Sequence, residues 1–170
     1  MFKQVQTLDR NTLSLTNYTF DIFGLEYGLP LITGSKICLS SINSVSETEI
    51  ATSYIIQQTP STLLQLVNKF PNSLSNCLCL VGGEALQNLI AKELYKAFKH
   101  VFNVYGPAET VIWSTTSQIC DLDNIHIGSP LFNENVYVLD DHGTPVPIGV
   151  VGELHIAGAG VARGYLNMEE

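Results

Sequence analysis

Residues 77–110 read CLCLVGGEALQNLIAKELYKAFKHVFNVYGPAET, and the spacing of their apolar positions decides the fold. Cys77–Val81 is a short unbroken apolar run stopped by Gly82-Gly83, as expected of a buried strand. Glu84–Phe98 then carries Leu86, Leu89, Ile90, Leu94 and Ala97 at helical spacing, with Lys92, Lys96 and Lys99 on a solvated face. His100–Tyr105 is a second strand, ending at Gly106-Pro107. Upstream, Asp21–Leu31 has the apolar spacing of a helix through Ile22, Leu25 and Leu29, with Gly34 placed as its cap. Lys36–Leu39 reads as a buried strand and Ser53–Gln57 as a short extended one. Thr59-Pro60 then supplies an N-cap and a first-turn proline for a helix over Ser61–Asn68. Short strands alternating with amphipathic helices predict an α/β fold, a parallel sheet flanked by helices.

Past Gly106 no long helical pattern survives, and glycine and proline recur from Gly128 to Gly152. Asn135–Leu139 and Val151–Ala157 read as strands, with Asp140-Asp141-His142-Gly143 forming a tight turn between them. The change of pattern puts a boundary near residue 125, with residues 1–125 forming the α/β part and 126–170 beginning a small antiparallel β-barrel. Met1–Leu15 holds no complete supersecondary unit and the last residues stop in mid-pattern, so the expectation is an internal piece of a longer protein. Ser40–Thr52 is a short connection in which a helix is expected to be reduced.

Eight basic against sixteen acidic residues give a net charge of −8, which repels a phosphate backbone and argues against a nucleic-acid partner. No run approaches the roughly 18–20 apolar residues that span a bilayer, and Met1–Arg10 is polar and mixed in charge, so no membrane association and a cytoplasmic setting are expected. Cys38, Cys77, Cys79 and Cys120 each lie in an apolar stretch and read as buried thiols; no histidine or second cysteine pair stands at zinc-ligand spacing. His100, His126, His142 and His155 lack a nucleophile's context and read as solvated or packing residues.

Two stretches carry chemistry. Asn103-Val104-Tyr105-Gly106-Pro107-Ala108-Glu109-Thr110 falls where a parallel strand ends, which is where open α/β sheets bind ligands. Tyr105 offers a ring for a purine, Gly106 permits close approach, and Glu109 is a hard oxygen donor suited to Mg²⁺. An ordinary Gly-Pro turn with a solvated glutamate reads equally well from these residues alone. Gly152–Leu166 joins a strand to a glycine-rich loop with Arg163, without the strand-to-helix context of a dinucleotide fingerprint. A glycine-bent loop whose Arg163 pairs with a carboxylate fits it better than a phosphate cradle.

Together with Phe20-Asp21 and Val81-Gly82-Gly83-Glu84-Ala85, these motifs stand in the order and approximate spacing of non-ribosomal peptide synthetase adenylation domains, in the adenylate-forming, AMP-binding superfamily. The chain resembles that family from about Thr16 onward, over a middle section of its adenylation unit. The resemblance implies that an amino acid and ATP give an aminoacyl adenylate, passed to the phosphopantetheine thiol of a peptidyl carrier protein beside condensation domains. It implies that Tyr105 stacks on adenine, Asn103 bonds its exocyclic amine, Gly82, Gly83, Glu84 and Ala85 cover the other ring face, and Gly106 and Ala108 border the nucleotide. Ala108 replaces the family's usual threonine, so only its backbone amide remains to meet a phosphate. Glu109 is implied as the Mg²⁺ ligand and Asp21 as the partner of the substrate's α-ammonium; a carboxylate there also suits a helix N-terminus.

The family's amino-acid pocket maps onto Asp21, Ile22, Leu25, Gln57, Leu80, Gly82, Val104, Ile112 and Trp113, a set that resembles the pattern for glycine. Core packing accounts for each residue singly; the set as a whole carries the implication. The family's phosphate loop, ribose-binding aspartate and catalytic lysine have no match here, so this stretch alone is expected to be inactive. A non-catalytic nucleotide-binding or scaffold module is the alternative. An acyl- or aryl-acid ligase of the same superfamily is disfavoured by Asp21, because such substrates carry no α-ammonium.

Overall fold

The computed structural model describes residues 11–51 and 55–168. In chain order it contains β1 (Thr12–Ser14), α1 (Phe23–Thr33), β2 (Ile37–Leu39), α2 (Glu47–Ile50), β3 (Ile55–Gln58), α3 (Pro60–Lys69), β4 (Leu78–Val81), α4 (Asn88–Ala97), β5 (His100–Tyr105), a 3₁₀ turn (Ala108–Thr110), β6 (Thr115–Gln118), β7 (Ser129–Pro130), β8 (Glu134–Leu139) and β9 (Glu153–Gly158). Seven strands form one sheet in the order β2-β1-β3-β4-β5-β6-β7, and β8 and β9 form a separate antiparallel pair. Pairing is parallel from β2 to β5 and antiparallel at β5–β6 and β6–β7. The sheet is therefore mixed rather than wholly parallel. A helix returns the chain between parallel neighbours, whereas β6 needs only the turn after Tyr105 to run back along β5.

Alternation along the strands sorts the core into two layers. Ile56, Cys79, Val81 and Val101 face one way and join Leu63 and Leu66 of α3 and Leu94 of α4 in one buried cluster. Ile55, Leu78, Leu80, Phe102 and Val104 face the other way and join Trp113, with Ile22, Leu25, Leu29 and Ile112 packed on them. Both faces of the central strands are thus covered, which is why β3 and β4 are buried along their whole length, without an exposed alternate face. Each fully buried leucine or isoleucine contributes about 1.5–3 kcal/mol.

α1 ends as expected at Gly34, in the left-handed conformation at φ 71°. α3 starts at Pro60 after Thr59, but the Thr59 hydroxyl shares hydrogen bonds with Ser61 and Thr62 instead of capping the backbone. α4 begins later than the expected 84–98 span, because Gly82-Gly83 and the four residues after them form an irregular loop. α2 is a single turn closed by a Ser46–Glu49 capping box, in keeping with the expected reduction. β1 lies in a segment that shows no supersecondary pattern: three residues are too few for a periodicity. Part of the expected Ser53–Gln57 strand, residues 53–54, lies outside the described residues, as does Met1–Arg10. Of the four cysteines, Cys77 and Cys79 are buried, Cys38 is half-buried and Cys120 is exposed, which corrects the expectation for the last. After β8 the chain turns at Asp140, whose carboxylate accepts from the amides of His142 and Thr144. It then makes a bridge at Pro145 before reaching β9. Among the described residues, no helix is long and apolar enough to cross a membrane.

Candidate functional site

The carboxyl ends of β3, β4 and β5 lie side by side, because these strands are parallel and in direct register. Gln57, Leu80 with Gly82, and Val104 with Tyr105 therefore come to one end of the sheet, and the first turn of α1 and the segment 111–113 close over it. The second core layer brings Ile22, Leu25, Leu80, Val104, Ile112 and Trp113 into a single apolar cluster. Gln57, 1% exposed, sits at its polar centre. Its Nε2 donates to the Ile22 carbonyl at 2.7 Å and its Oε1 accepts from Trp113 Nε1 at 2.7 Å. One side chain thus fastens the start of α1 to the indole and satisfies both ends of its amide among apolar neighbours.

Gly82 is glycine because the chain itself fills the space beside it. A methyl group there would strike the Val104 carbonyl and come within 2.7 Å of the Trp113 ring. Gly106 is similar: a Cβ would lie 2.7 Å from the Ile112 carbonyl oxygen and 2.8 Å from Trp113 Cα. The space beside Gly106 is thus taken by the protein's own backbone. Val111 and Ile112 have φ of 55° and 67°, a conformation unfavourable for two successive β-branched residues. Such strain costs on the order of 1–3 kcal/mol per residue and collects at functional sites. Here it turns Ile112 toward α1, where its Cδ1 lies 3.3 Å from the space a Cβ on Gly24 would take.

Asp21 is exposed, in the turn before α1, where its carbonyl accepts from Gly24 N at 2.7 Å. It adjoins Ile22, and so the cluster around Gln57. On the β5 side, Asn103 is buried and its Nδ2 donates to the His126 carbonyl at 2.9 Å, which leaves Oδ1 as the acceptor end. An acceptor is what an exocyclic amine requires. Tyr105 is partly exposed at the strand's end, and the loop that follows neighbouring β4 carries Gly83, Glu84 and Ala85, also exposed. Glu84 accepts from the Ser61 hydroxyl at 2.9 Å, which ties this loop to α3. Ala108 is exposed at the start of the 3₁₀ turn.

Glu109 follows it, also exposed, and accepts from the Tyr165 hydroxyl at 2.8 Å. That bond holds its carboxyl below the ordinary glutamate range. The Ala162 amide donates to the Glu109 carbonyl at 2.7 Å, so the loop after β9 lies along the 3₁₀ turn. The expected pairing of Arg163 with a carboxylate is corrected: the two ion pairs among the described residues are Lys96–Glu93 and His155–Glu153, and Tyr165 is the side chain that meets a carboxylate from this loop. Tyr165 stands inside the Gly152–Leu166 stretch, but nothing in spacing links it to Glu109, 56 residues away. A second residue that sequence reasoning does not single out is Glu26, buried on α1. Its one signal is an acidic residue a turn after Ile22, on the apolar face.

Among the described residues no three His, Cys, Asp or Glu side chains gather as a metal cage. A lone exposed glutamate fits Mg²⁺, which keeps most of its ligands as water and substrate phosphate.

The model of the AMP-binding enzyme family matches residues 2–166. A dimodular nonribosomal peptide synthase of Bacillus subtilis is 42% identical over 164 residues, covering 91% of this chain and 7% of that protein. Malpinin synthetase of Mortierella alpina is 36% identical over 168 residues, covering 93% of this chain and 2% of that protein. The chain thus spans less than a tenth of the length of either. Among solved structures, a four-domain nonribosomal peptide synthetase bound to AMP and glycine superposes with a TM-score of 0.84 at 34% identity, over 96% of this chain and 13% of that one. The N-terminal subdomain of Klebsiella oxytoca NpsA, at 22% identity and a TM-score of 0.82, over 94% of this chain and 44% of that one, shares the fold. The seven-stranded sheet with its helices matches the core of these proteins, and the β8–β9 pair fits part of their small barrel. By sequence and by fold, the chain belongs to the AMP-binding enzyme family, in the branch formed by the adenylation domains of nonribosomal peptide synthetases.

Proposed function

We propose that the protein carrying this chain is an ATP-dependent amino-acid ligase of a peptide synthetase, that it activates glycine as the aminoacyl adenylate, and that residues 1–170 supply the amino-acid pocket and part of the nucleotide site. The observation that carries this reading is the fastening of Ile22, Gln57 and Trp113 by two 2.7 Å hydrogen bonds, with Leu25, Leu80, Gly82, Val104 and Ile112 packed around them and Asp21 at the edge. In this reading Asp21 pairs with the α-ammonium, and the space beyond the α-carbon is already filled by Trp113 and Ile112. Rejection of alanine rests on one methyl group, a factor of roughly 10 to 200. The glycine bound in the related four-domain synthetase adds modest support.

On the nucleotide side, Asn103 Oδ1 accepts from the adenine amine, Tyr105 stacks on the ring, and Gly82–Ala85 cover its other face, with Gly106 and Ala108 beside the phosphates. Glu109, oriented by Tyr165, holds Mg²⁺, whose chemistry is to neutralise the phosphates during attack by the carboxylate. A carrier domain's phosphopantetheine thiol would take the aminoacyl group as a thioester with release of AMP, beside condensation domains and in the cytoplasm. We place the division of the chain near residue 125, in the loop between β6 and β7; β7 still pairs with β6 in the large sheet, and the separate pair that begins the barrel starts at β8.

The test is pyrophosphate exchange into ATP by the complete gene product across single amino acids. Glycine is expected to give the fastest exchange and Asp21→Ala to abolish it. Faster exchange with a large aromatic amino acid overturns the pocket reading.

A further inference from the structure

Glu26 is 1% exposed and lies on the α1 face turned toward the sheet. Its Oε2 accepts from the Ser14 hydroxyl at 2.6 Å and from the Thr16 amide at 3.2 Å, and its Oε1 accepts from the Thr16 hydroxyl. The Thr16 hydroxyl in turn accepts from Gln58 Nε2 at 2.7 Å. The carboxyl is thus tied directly to the exit of β1 and, through Thr16, to the end of β3. No lysine, arginine or histidine among the described residues pairs with it. A buried carboxyl without a cation is a costly way to fill space, and an apolar side chain would pack there without that cost. What three directed bonds supply and an apolar contact lacks is a fixed register, since a helix on an apolar seat can slide or rotate.

The elements fixed in this way are those that frame the proposed amino-acid pocket. Ile22 and Leu25 are on the same first turns of α1 as Glu26, and Gln57, which binds the Ile22 carbonyl and Trp113, is the neighbour of Gln58 on β3. α1 therefore has two polar anchors about one turn apart, Ile22 to Gln57 and Glu26 to the β1 exit. We propose that Glu26 is a positioning residue that sets how far the first turn of α1 stands from Trp113, and thereby the depth of the amino-acid pocket. This rests on the pocket assignment above and adds to it a residue that touches no substrate. The nucleotide side is built on β5, the β4 loop and the 3₁₀ turn, and is independent of this anchor.

The experiment compares steady-state exchange kinetics of the complete gene product with Glu26→Gln and Ser14→Ala, using whichever amino acid the wild type turns over best. Glutamine keeps the length of the side chain but replaces one acceptor oxygen with a donor. Ser14→Ala leaves the carboxyl and removes one of its three donors. Glu26→Gln is expected to raise the amino-acid KM on the order of 10- to 100-fold, as small misplacements of binding groups do, while the ATP KM stays within about twofold. Ser14→Ala is expected to move the amino-acid KM in the same direction by a smaller factor, and it decides the matter if the glutamine variant does not fold. Unchanged KM values in folded variants overturn the inference, as does a parallel rise of both KM values, which marks general loosening. A wild type that exchanges with no amino acid overturns the pocket assignment and this inference with it, whereas an active wild type with an unmoved KM ratio overturns this inference alone.

Discussion

Gly82 and Trp113 meet at a distance that leaves nothing to spare. Gly82→Ala would drive its methyl group into the Val104 carbonyl and the indole, neither of which can swing away, because one is strand backbone and the other is held by Gln57. We expect a loss of about 1–3 kcal/mol from overpacking, read as a lower urea midpoint. Trp113→Phe tests the other side of the contact. It removes the donor to Gln57 Oε1, and an acceptor left buried and unpaired costs about 1–3 kcal/mol. Calorimetric unfolding should show that loss, and exchange assays should show alanine gaining on glycine as the wall thins. Val111 is the opposite case. It is exposed with φ at 55°, so Val111→Gly, which in an ordinary ordered segment would lower stability, is expected to leave it unchanged or slightly raised. A fall of more than about 1 kcal/mol in the same unfolding measurement would show that the loop is not strained.

At the scale of elements, α1 carries a pH dependence of its own. Burial, only partly offset by hydrogen bonds from Ser14 and Thr16, holds the Glu26 carboxyl above the ordinary glutamate range. The folded chain therefore binds this proton more readily than the unfolded one. The resulting contribution to stability is complete below the unfolded pKa, about 4.3, and is lost as pH rises through the folded value. Glu26→Gln cannot titrate, so its stability relative to wild type should improve steadily from about pH 4 toward neutral, on top of a constant loss from the altered bonds. Glu49 and Glu109, whose pKa values are lowered by Ser46 and Tyr165 respectively, lose their contributions as pH falls, but they do so in both proteins and cancel. Urea midpoints at several pH values read the difference, and a pH-independent gap would exclude an upward shift at Glu26. The same element shows which local signals are legible in a sequence. α1, α3, β4 and β5 are readable because each is long enough, or bounded sharply enough, to display a period and a stop: Gly34 for α1, Pro60 for α3, Gly82-Gly83 for β4. β1 and β6 are not, being three or four residues whose strand state is imposed by neighbouring strands rather than by their own pattern. The first turn expected of α4, residues 84–87, fails because the spacing of Leu86 speaks for a helix only where flanking glycines do not compete.

Across the whole molecule, the proposed pocket draws on residues from 21 to 113, and no local pattern joins them. Only the resemblance to a family groups those nine positions, and the contacts among Ile22, Gln57 and Trp113 are long-range bonds that arise when the sheet is assembled. The anchors at Glu26 and Tyr165 escape for the same reason, since a lone acidic residue and a lone tyrosine announce no partner. Surface composition, by contrast, is legible. The 14% charged content is low, and the fold leaves Phe132, Ile148, Val151 and Leu166 exposed around the β8–β9 pair and Leu31, Ile32 and Leu39 exposed near the β2 edge. Among the described residues β2 ends the large sheet with an unpaired edge, and a two-stranded ladder is marginal by itself. Large apolar side chains left this exposed, where they adjoin, are normally covered by other protein. Residues 1–170 expressed alone should therefore self-associate, with light scattering giving a mass well above one 170-residue chain and an apolar dye binding strongly, whereas the complete gene product should show neither. Val151→Lys with Leu39→Lys, one charge on each exposed region, should shift the isolated stretch toward monomer without altering its helical content. A strictly monodisperse wild-type monomer that binds no dye would mean that these side chains cover one another in solution.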